Sequence, residues 1–333
     1  MTQRVAYGAM AIAVLVLLFM QDVVIAKQSF ELPGPLGDLL RRGSLIPILF
    51  IVVLLRGAVE LNRLLRAKDY KPHSAFAYLM ILVLLVTPWF SAAGWLGADV
   101  RDQEGLFWQL FALMVTVIGA GVLCVFRGHP RGAIPDMAAT LLMVFYVGFL
   151  GSFGLQLRCG RDIPAQEGAW LLLITLLVTK ASDIGAFFVG SIMGRHKLIP
   201  GVSPGKSVEG VVGGLLGSAL GAMLFASAGL INGLLGSDDG AFAMMLSDVV
   251  RSFSIRNDVS GISPLIRALL FGLALSAAGQ MGDLVESCFK RDSGVKDSGN
   301  VIPRYGGILD LIDSPVFAMP VAWFLLTMVW NVV

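Results

Sequence analysis

Long apolar runs constrain the fold of this chain more than any other feature of its sequence. A helix needs about 20 apolar residues to cross a bilayer, and several runs approach or reach that length. Hydrophobic residues make up 56% of the 333, and the mean hydropathy of +0.79 is well above that of a soluble globular protein. We place the runs at about 5–26, 45–59, 76–97, 105–126, 134–156, 168–192, 208–235, 264–283 and 315–332.

The pattern inside these runs decides the fold class. Only helices and closed β-barrels satisfy their backbone hydrogen bonds within a bilayer, and the runs lack the apolar–polar alternation of barrel strands. We therefore predict an all-α polytopic membrane protein with about nine transmembrane helices. We expect the first run to be a membrane helix rather than a cleaved signal peptide, because it is longer than a signal core. We expect residues 1–165 to form an N-terminal region of about five helices and residues 166–333 to form a C-terminal transmembrane region that carries the functional site.

The distribution of lysine and arginine between alternating loops predicts the orientation. Cytoplasmic loops carry an excess of these residues. With a cytoplasmic N-terminus, the basic residues on that side are Arg4, Arg56, Arg63, Arg66, Lys68, Lys71, Arg127, Arg131, Arg195, Lys197, Lys206, Lys290, Arg291, Lys296 and Arg304. Those on the other side are fewer: Lys27, Arg41, Arg42, Arg101, Arg158, Arg161, Arg251 and Arg256. This excess places the loops 193–207 and 284–314 together in the cytoplasm.

Residues 282–314 concentrate charge in a chain that has only 14% charged residues. The charged members are Asp283, Glu286, Lys290, Arg291, Asp292, Lys296, Asp297, Arg304, Asp310 and Asp313. On a helix, Asp283, Ser287 and Lys290 would share one face, and Asp310 and Asp313 would share another. Acidic helical faces joined by a Gly-rich basic loop are typical of a site for a metal ion and phosphate groups.

A second charged block begins inside the sixth apolar run. Lys180 and Asp183 interrupt this run, and ionisable groups at such depth usually face a polar cavity or a partner. They could also simply neutralise each other, because they are three residues apart. The following segment, GRHKLIPGVSPGKSVEG, offers Lys197, Ser203 and Lys206 among glycines, which suits a polyphosphate. A basic loop without a ligand would look similar.

Composition and spacing exclude several other kinds of site. The net charge of +2 gives no indication of nucleic-acid binding. The three cysteines and three histidines have no zinc or nucleophile spacing. In the seventh run, glycines recur four residues apart between Gly210 and Gly221, which predicts close helix packing within one chain or between two. The sequence therefore leaves open whether the protein forms a homodimer.

The two charged blocks resemble the phosphatidate cytidylyltransferases, also called CDP-diacylglycerol synthases. The C-terminal signature of that family matches at Ser287, Lys290, Arg291, Lys296, Asp297, Gly306, Gly307, Asp310 and Asp313. A second family block matches at Asp183, Ala186, Gly190, Gly194, Lys197, Leu198, Pro200, Ser203, Pro204, Lys206, Glu209 and Gly210. The chain departs from the family at Tyr305 in place of His, Leu311 in place of Arg, Gly205 and Val208 in place of Lys and Trp, and Phe187 in place of Tyr.

The resemblance implies a reaction of CTP with phosphatidate that gives CDP-diacylglycerol and pyrophosphate in phospholipid biosynthesis. The implied catalytic residues are Asp283, Lys290, Arg291, Lys296, Asp297, Asp310 and Asp313. The implied substrate-binding residues are Asp183, Lys197, Ser203, Lys206, Ser287 and Arg304. Asp283 and Asp310 are the implied ligands of Mg²⁺, and a second cation is left open. The implied partners are CTP, phosphatidate and membrane lipids, and the implied location is a bacterial inner membrane with the site facing the cytoplasm.

Two other functions agree with the residues. A CTP-dependent lipid-alcohol kinase would use the same nucleotide but transfer its γ-phosphate. A membrane transporter would use Lys180, Asp183 and Asp283 as an ion path.

Overall fold

The structure is a computed structural model that describes residues 2–28, 34–96, 104–128, 130–160, 163, 165–235, 263–299, 301 and 306–330. Its helices are α1 (Thr2–Gln28), α2 (Pro35–Arg41), α3 (Leu45–Ala67), α4 (Ser74–Ala92), α5 (Glu104–Phe126), α6 (Ala133–Met143), α7 (Leu150–Cys159), α8 (Ala165–Met193), α9 (Val208–Leu235), α10 (Pro264–Asp292) and α11 (Leu309–Trp323). A π-helical segment, Val144–Phe149, joins α6 to α7, and another, Phe324–Val329, continues α11. Two short strands are β1 (Lys197–Ile199) and β2 (Ser203–Ser207).

The helices confirm the predicted all-α membrane fold. Each predicted apolar run coincides with a helix, and the run 134–156 coincides with α6, the first π-helical segment and α7 in continuous succession. Eight spans of the described residues are long and apolar enough to cross a membrane: Leu45–Ala67, Ser74–Ala92, Leu106–Phe126, Ala133–Cys159, Glu167–Met193, Val208–Ser227, Pro264–Asp292 and Leu309–Val329. The first run forms α1, whose apolar stretch Ile12–Ala26 is shorter. The protein is therefore an integral membrane protein.

A small β-hairpin follows α8, where the sequence predicted only a loop. Lys197 pairs with Ser207 and Ile199 pairs with Ser203 in antiparallel register. The Glu209 carboxylate accepts hydrogen bonds from the backbone N–H groups of Arg195 at 3.1 Å and His196 at 3.2 Å. Because Glu209 lies in the first turn of α9, these bonds hold both ends of the hairpin close to the helices that it connects.

Small residues let α8 and α9 cross at close range. A Cβ atom added at Gly217 would lie 2.6 Å from the carbonyl oxygen of Ala181 and 3.2 Å from Cα of Gly185. A Cβ atom added at Gly185 would overlap the carbonyl oxygen of Gly213. The predicted close packing through the glycines of α9 is therefore confirmed, and this contact lies within one chain. The homodimer stays a prediction.

Replacing Gly217 with Ala is expected to lower the thermal unfolding midpoint of the purified protein in detergent. The new methyl group would overlap the α8 backbone, and overpacking of this kind typically costs about 1–3 kcal/mol. Gly121→Ala is the matched control, because a Cβ atom at Gly121 in α5 would meet no atom within 4 Å. A midpoint unchanged in Gly217→Ala would show that the two helices are not in close contact.

A buried ion pair ties the first helix to the rest of the bundle. The side chains of Asp22 in α1 and Arg158 in α7 are 0% exposed, and Arg158 donates to Asp22 Oδ2 through Nε at 2.9 Å and Nη2 at 2.5 Å. The other oxygen, Oδ1, accepts from the backbone N–H groups of Ser44, Leu45 and Ile46 at 2.8–3.2 Å. One carboxylate thus caps α3 and pairs with α7.

The packing of α11 positions the charged residues of the C-terminal region. This helix packs against α10, α7, α8 and α3. It begins at Leu309, so that Asp310 and Asp313 lie in its first turns. The charged side chains of α8, α10 and α11 therefore face one another around the start of α11.

Candidate active site

The two charged blocks of the sequence meet in the structure. Lys206 Nζ of β2 lies 2.8 Å from Asp283 Oδ2 of α10. Arg291 Nε donates to the carbonyl oxygen of Val202, which precedes β2, at 3.2 Å. The hairpin after α8 therefore lies against the C-terminal half of α10, as the common side of their loops predicted.

Three carboxylates converge between α10 and α11. One oxygen from each of Asp283, Glu286 and Asp313 lies within 4.8 Å of the others. Like charges at this separation repel each other strongly unless a cation offsets them. Hard carboxylate oxygens are the ligands that Mg²⁺ prefers, so the donor chemistry of this trio fits the predicted ion. Asp283 belongs both to the trio and to the predicted pair of metal ligands.

Asp310 has a different environment from the trio. Its Oδ1 accepts from Lys290 Nζ at 2.6 Å. Its Oδ2 accepts from Ser298 N at 3.0 Å, Ser298 Oγ at 2.7 Å and Gly307 N at 2.8 Å. Gly306 has φ +94°, and a Cβ atom there would lie 2.6 Å from Asp310 Oδ2, so this turn requires glycine. Asp310 thus fixes the turn that leads into α11, and its assignment to Mg²⁺ stays a prediction.

Lys290 connects Asp310 to the trio. Its ammonium group forms ion pairs with both Asp310 and Glu286, the latter one helical turn earlier on α10. The Glu286 side chain is completely buried, and the Lys290 side chain is only 11% exposed. A charged group at this depth requires partners of opposite sign. Lys290 therefore has the position of a cation shared between the two carboxylate groups.

Lys180 and Asp183 form a third charged group beside the trio. Lys180 Nζ lies 2.9 Å from Asp183 Oδ2 and donates to the carbonyl oxygen of Leu311 at 3.3 Å. Asp183 Oδ1 accepts from Ser314 Oγ at 3.3 Å. The two side chains neutralise each other, which is one of the two interpretations that their spacing allowed. They also connect α8 to the first turns of α11.

The remaining predicted residues differ in their exposure. Lys197, Arg291, Lys296 and Asp297 are exposed to solvent. Ser203 is half-buried on β2, and Ser287 Oγ lies 3.4 Å from Asp283 Oδ1. Arg304 lies outside the described residues, as does Tyr305. The roles assigned to all these residues stay predictions.

The candidate sets drawn from the sequence omitted Glu60 and Glu286. Glu60 of α3 is completely buried, and its Oε2 accepts from Ser298 Oγ at 3.0 Å and Leu309 N at 2.8 Å. It therefore supports the same turn that Asp310 holds. Glu60 follows a long apolar run within α3, so the rule that drew attention to Lys180 could have found it.

Comparison with known proteins gives the family of this chain. Residues 34–329 match the cytidylyltransferase family. The phosphatidate cytidylyltransferase of Bacillus subtilis (strain 168) is 31% identical over 280 residues, which cover 84% of this chain and 88% of that protein. The phosphatidate cytidylyltransferase of Staphylococcus saprophyticus is 31% identical over 287 residues, 86% of this chain and 92% of that protein. The uncharacterized protein YnbB of Escherichia coli (strain K12) is 33% identical over 225 residues, 65% of this chain and 63% of that protein. These matches extend well beyond the two charged blocks, and they show that the chain belongs to the cytidylyltransferase family.

Proposed function

We propose that this protein is a phosphatidate cytidylyltransferase, which converts CTP and phosphatidate into CDP-diacylglycerol and pyrophosphate. The observation that carries this proposal is the contact between Lys206 of the hairpin and Asp283 of the carboxylate trio. This contact brings a basic, glycine-rich hairpin, which suits phosphate groups, next to a carboxylate cluster, which suits a metal ion, at one end of a membrane bundle. The curated relatives named phosphatidate cytidylyltransferase support the same activity.

The proposed reaction brings two anions together. A phosphate oxygen of phosphatidate attacks the α-phosphorus of CTP, and a new P–O bond forms. The bond between the α-phosphorus and the oxygen that bridges to the β-phosphorus breaks, and pyrophosphate leaves with its electron pair. The attacking phosphate is already ionised at neutral pH, so the site must chiefly position the reactants and offset their charge.

The basic residues of the site are suited to the nucleotide. Lys206 and Lys290 place two ammonium groups within the site, each beside a carboxylate that fixes its position. Arg291 is exposed beside the hairpin and can offer its planar guanidinium group to the leaving pyrophosphate. These three cations thus suit the triphosphate of CTP.

Mg²⁺ is the cofactor that fits these residues. We propose that Asp283 holds it together with a carboxylate from α11, for which the family signature favours Asp310 and the trio favours Asp313. When bound, the ion would supply positive charge that offsets the repulsion between the two anionic substrates. Because the site contains several carboxylates, the proposal allows a second cation.

We also propose that the site faces the cytoplasm of a bacterial inner membrane, where CTP is available. The excess of lysine and arginine on the loops of that side supports this orientation. The bacterial source of the relatives supports the location.

Transfer of a labelled nucleotide tests the proposed reaction. Purified protein with Mg²⁺, phosphatidate and CTP labelled with ³²P at the α-phosphorus is expected to yield labelled lipid. The same reaction with CTP labelled at the γ-phosphorus is expected to yield labelled pyrophosphate and unlabelled lipid.

The opposite result would identify a different function. Label from the γ-phosphorus on a lipid alcohol would indicate the kinase. The transporter would be indicated by two results together. The protein would carry ions into liposomes in the absence of CTP, and neither labelled nucleotide would give labelled lipid. A reaction without phosphatidate is the control for each nucleotide.

A further inference from the structure

Lys180 has one hydrogen-bond donor left over within the candidate site. An ammonium group carries three N–H donors. One faces Asp183 Oδ2 at 2.9 Å and another the carbonyl oxygen of Leu311 at 3.3 Å. Among the residues that the structure describes, no further acceptor contacts this group. Its side chain is 30% exposed although it lies within an apolar helix, so the third donor can reach a ligand.

The contact with Leu311 has a specific cause in α11. A helical carbonyl normally accepts from the N–H group four residues later, which for Leu311 is residue 315. Pro315 has no N–H group, so the carbonyl of Leu311 has no such donor. Lys180 supplies the missing donor from α8. The sequence of α11 therefore fixes the ammonium group beside the acidic first turns of that helix, with Asp313 and Asp283 as further charged neighbours.

Lys180 also lies beside a residue at which this chain lacks a cation of the family. The family has an arginine where this chain has Leu311, and the Leu311 side chain is uncharged and 40% exposed. Lys180 Nζ touches the backbone of that same residue. A positive charge is thus present at this point of α11, and it is supplied by a different helix.

The surroundings of Lys180 favour a lipid over a nucleotide. Ile184 and Phe188 follow Lys180 at i+4 and i+8 on the same face of α8, and they are 46% and 41% exposed. These two side chains are accessible from outside the bundle, so a bilayer lipid can approach Lys180 along them. The cations suited to CTP, by contrast, lie on the hairpin and near the end of α10.

We propose that Lys180 binds the phosphate group of the lipid substrate and takes over the charge of the family arginine at position 311. This inference rests on the proposed function and names the lipid side of its site. The lipid is a phosphomonoester whose phosphate accepts the third N–H of Lys180. Asp183 and the Leu311 carbonyl hold the ammonium group in place for this contact.

Steady-state kinetics on charge variants test the proposal. Lys180→Met removes the cation, and Lys180→Gln removes it while it keeps a hydrogen-bond donor for Leu311. Both are expected to lower kcat/KM for phosphatidate by about 10- to 100-fold, as the loss of one charge-assisted hydrogen bond predicts. Equilibrium binding of CTP in the absence of lipid should change by less than about twofold, because the nucleotide is held elsewhere.

A second-site variant separates this role from a structural one. In Lys180→Met/Leu311→Arg, the cation returns from α11, and kcat/KM for phosphatidate should recover at least about tenfold relative to Lys180→Met. A merely structural lysine would not be rescued in this way. Lys68→Met is the control, because Lys68 is an exposed residue that pairs with Asp292 outside the site.

Each failure has its own signature. If the wild-type protein forms no labelled CDP-lipid, the proposed function is wrong. If it forms CDP-lipid but Lys180→Gln keeps the wild-type kcat/KM for phosphatidate, the Lys180 proposal is wrong. Loss of CTP binding in folded Lys180→Gln would also overturn it, because that result would place Lys180 in the nucleotide site.

Discussion

Asp283→Asn is expected to lower the rate of CDP-diacylglycerol formation by at least about 100-fold, the usual cost of removing one group that stabilises a charged transition state. The substitution keeps the shape of the side chain but removes a charge that pairs with Lys206 and belongs to the carboxylate trio. Both the proposed metal ion and the hairpin cation would lose their partner. Initial rates with α-labelled CTP over a range of Mg²⁺ concentrations measure the effect, and excess Mg²⁺ should restore part of the rate.

Three further asparagine variants give this experiment its controls. Asp292→Asn, at an exposed residue of the same helix, should leave the rate close to that of the wild type. Asp310→Asn and Asp313→Asn identify the carboxylate that binds the ion with Asp283. Only replacement of the true ligand should raise the Mg²⁺ concentration that the reaction requires. A wild-type rate in Asp310→Asn would overturn the predicted metal pair, and a wild-type rate in Asp283→Asn would overturn the site itself.

Asp22→Ala is expected to destabilise the protein by about 3–5 kcal/mol, the cost of leaving one member of a buried ion pair uncompensated. Arg158 would keep its charge at 0% exposure, and the backbone N–H groups at the start of α3 would lose their acceptor. The thermal unfolding midpoint in detergent should fall well below that of Gly217→Ala. CDP-lipid formation at low temperature should persist, since the pair lies outside the candidate site.

The exposed pair of Asp38 and Arg41 provides the comparison. Their side chains are 50% and 33% exposed, and solvent screening limits such a pair to about 0–1 kcal/mol. Asp38→Ala should therefore shift the midpoint little. Removing both buried charges in Asp22→Leu/Arg158→Met should recover part of the stability lost in Asp22→Ala, because no unpaired charge remains. Equal midpoints for Asp22→Ala and Asp38→Ala would show that the buried pair does not stabilise the fold.

The sequence was sufficient for the fold class and for the location of the site. A bilayer demands long apolar runs, so the run at 105–126 predicted α5 almost to the residue, and the run at 76–97 predicted α4 to within five residues at each end. The charged stretch 282–314 and its resemblance to the family predicted one site that includes Asp283, Lys290 and Asp313, and the structure gathers all three around Glu286. The match of residues 34–329 confirms that resemblance.

Contacts between distant segments could not be read from the sequence. Glu60 and Leu309 are far apart in the chain, and no periodic pattern connects them. The short helix α2 and the three-residue strand β1 are too brief for a periodic signal to indicate them. Lys180 was recognised as unusual for its depth, but its contact with Leu311 depends on how α8 packs against α11.

The hydrogen bonds of Glu60 have a consequence for protein engineering. Residues 166–333 contain every matched position of the family signature, yet a fragment with these residues alone would leave the Leu309 N–H and the Ser298 hydroxyl without the carboxylate of α3. Chimaeras that exchange residues 1–165 between relatives would have to bring an acidic side chain to the same point. Residues 1–165 and 166–333 should therefore be taken from the same relative. Where they are not, the contacts around this side chain should be redesigned.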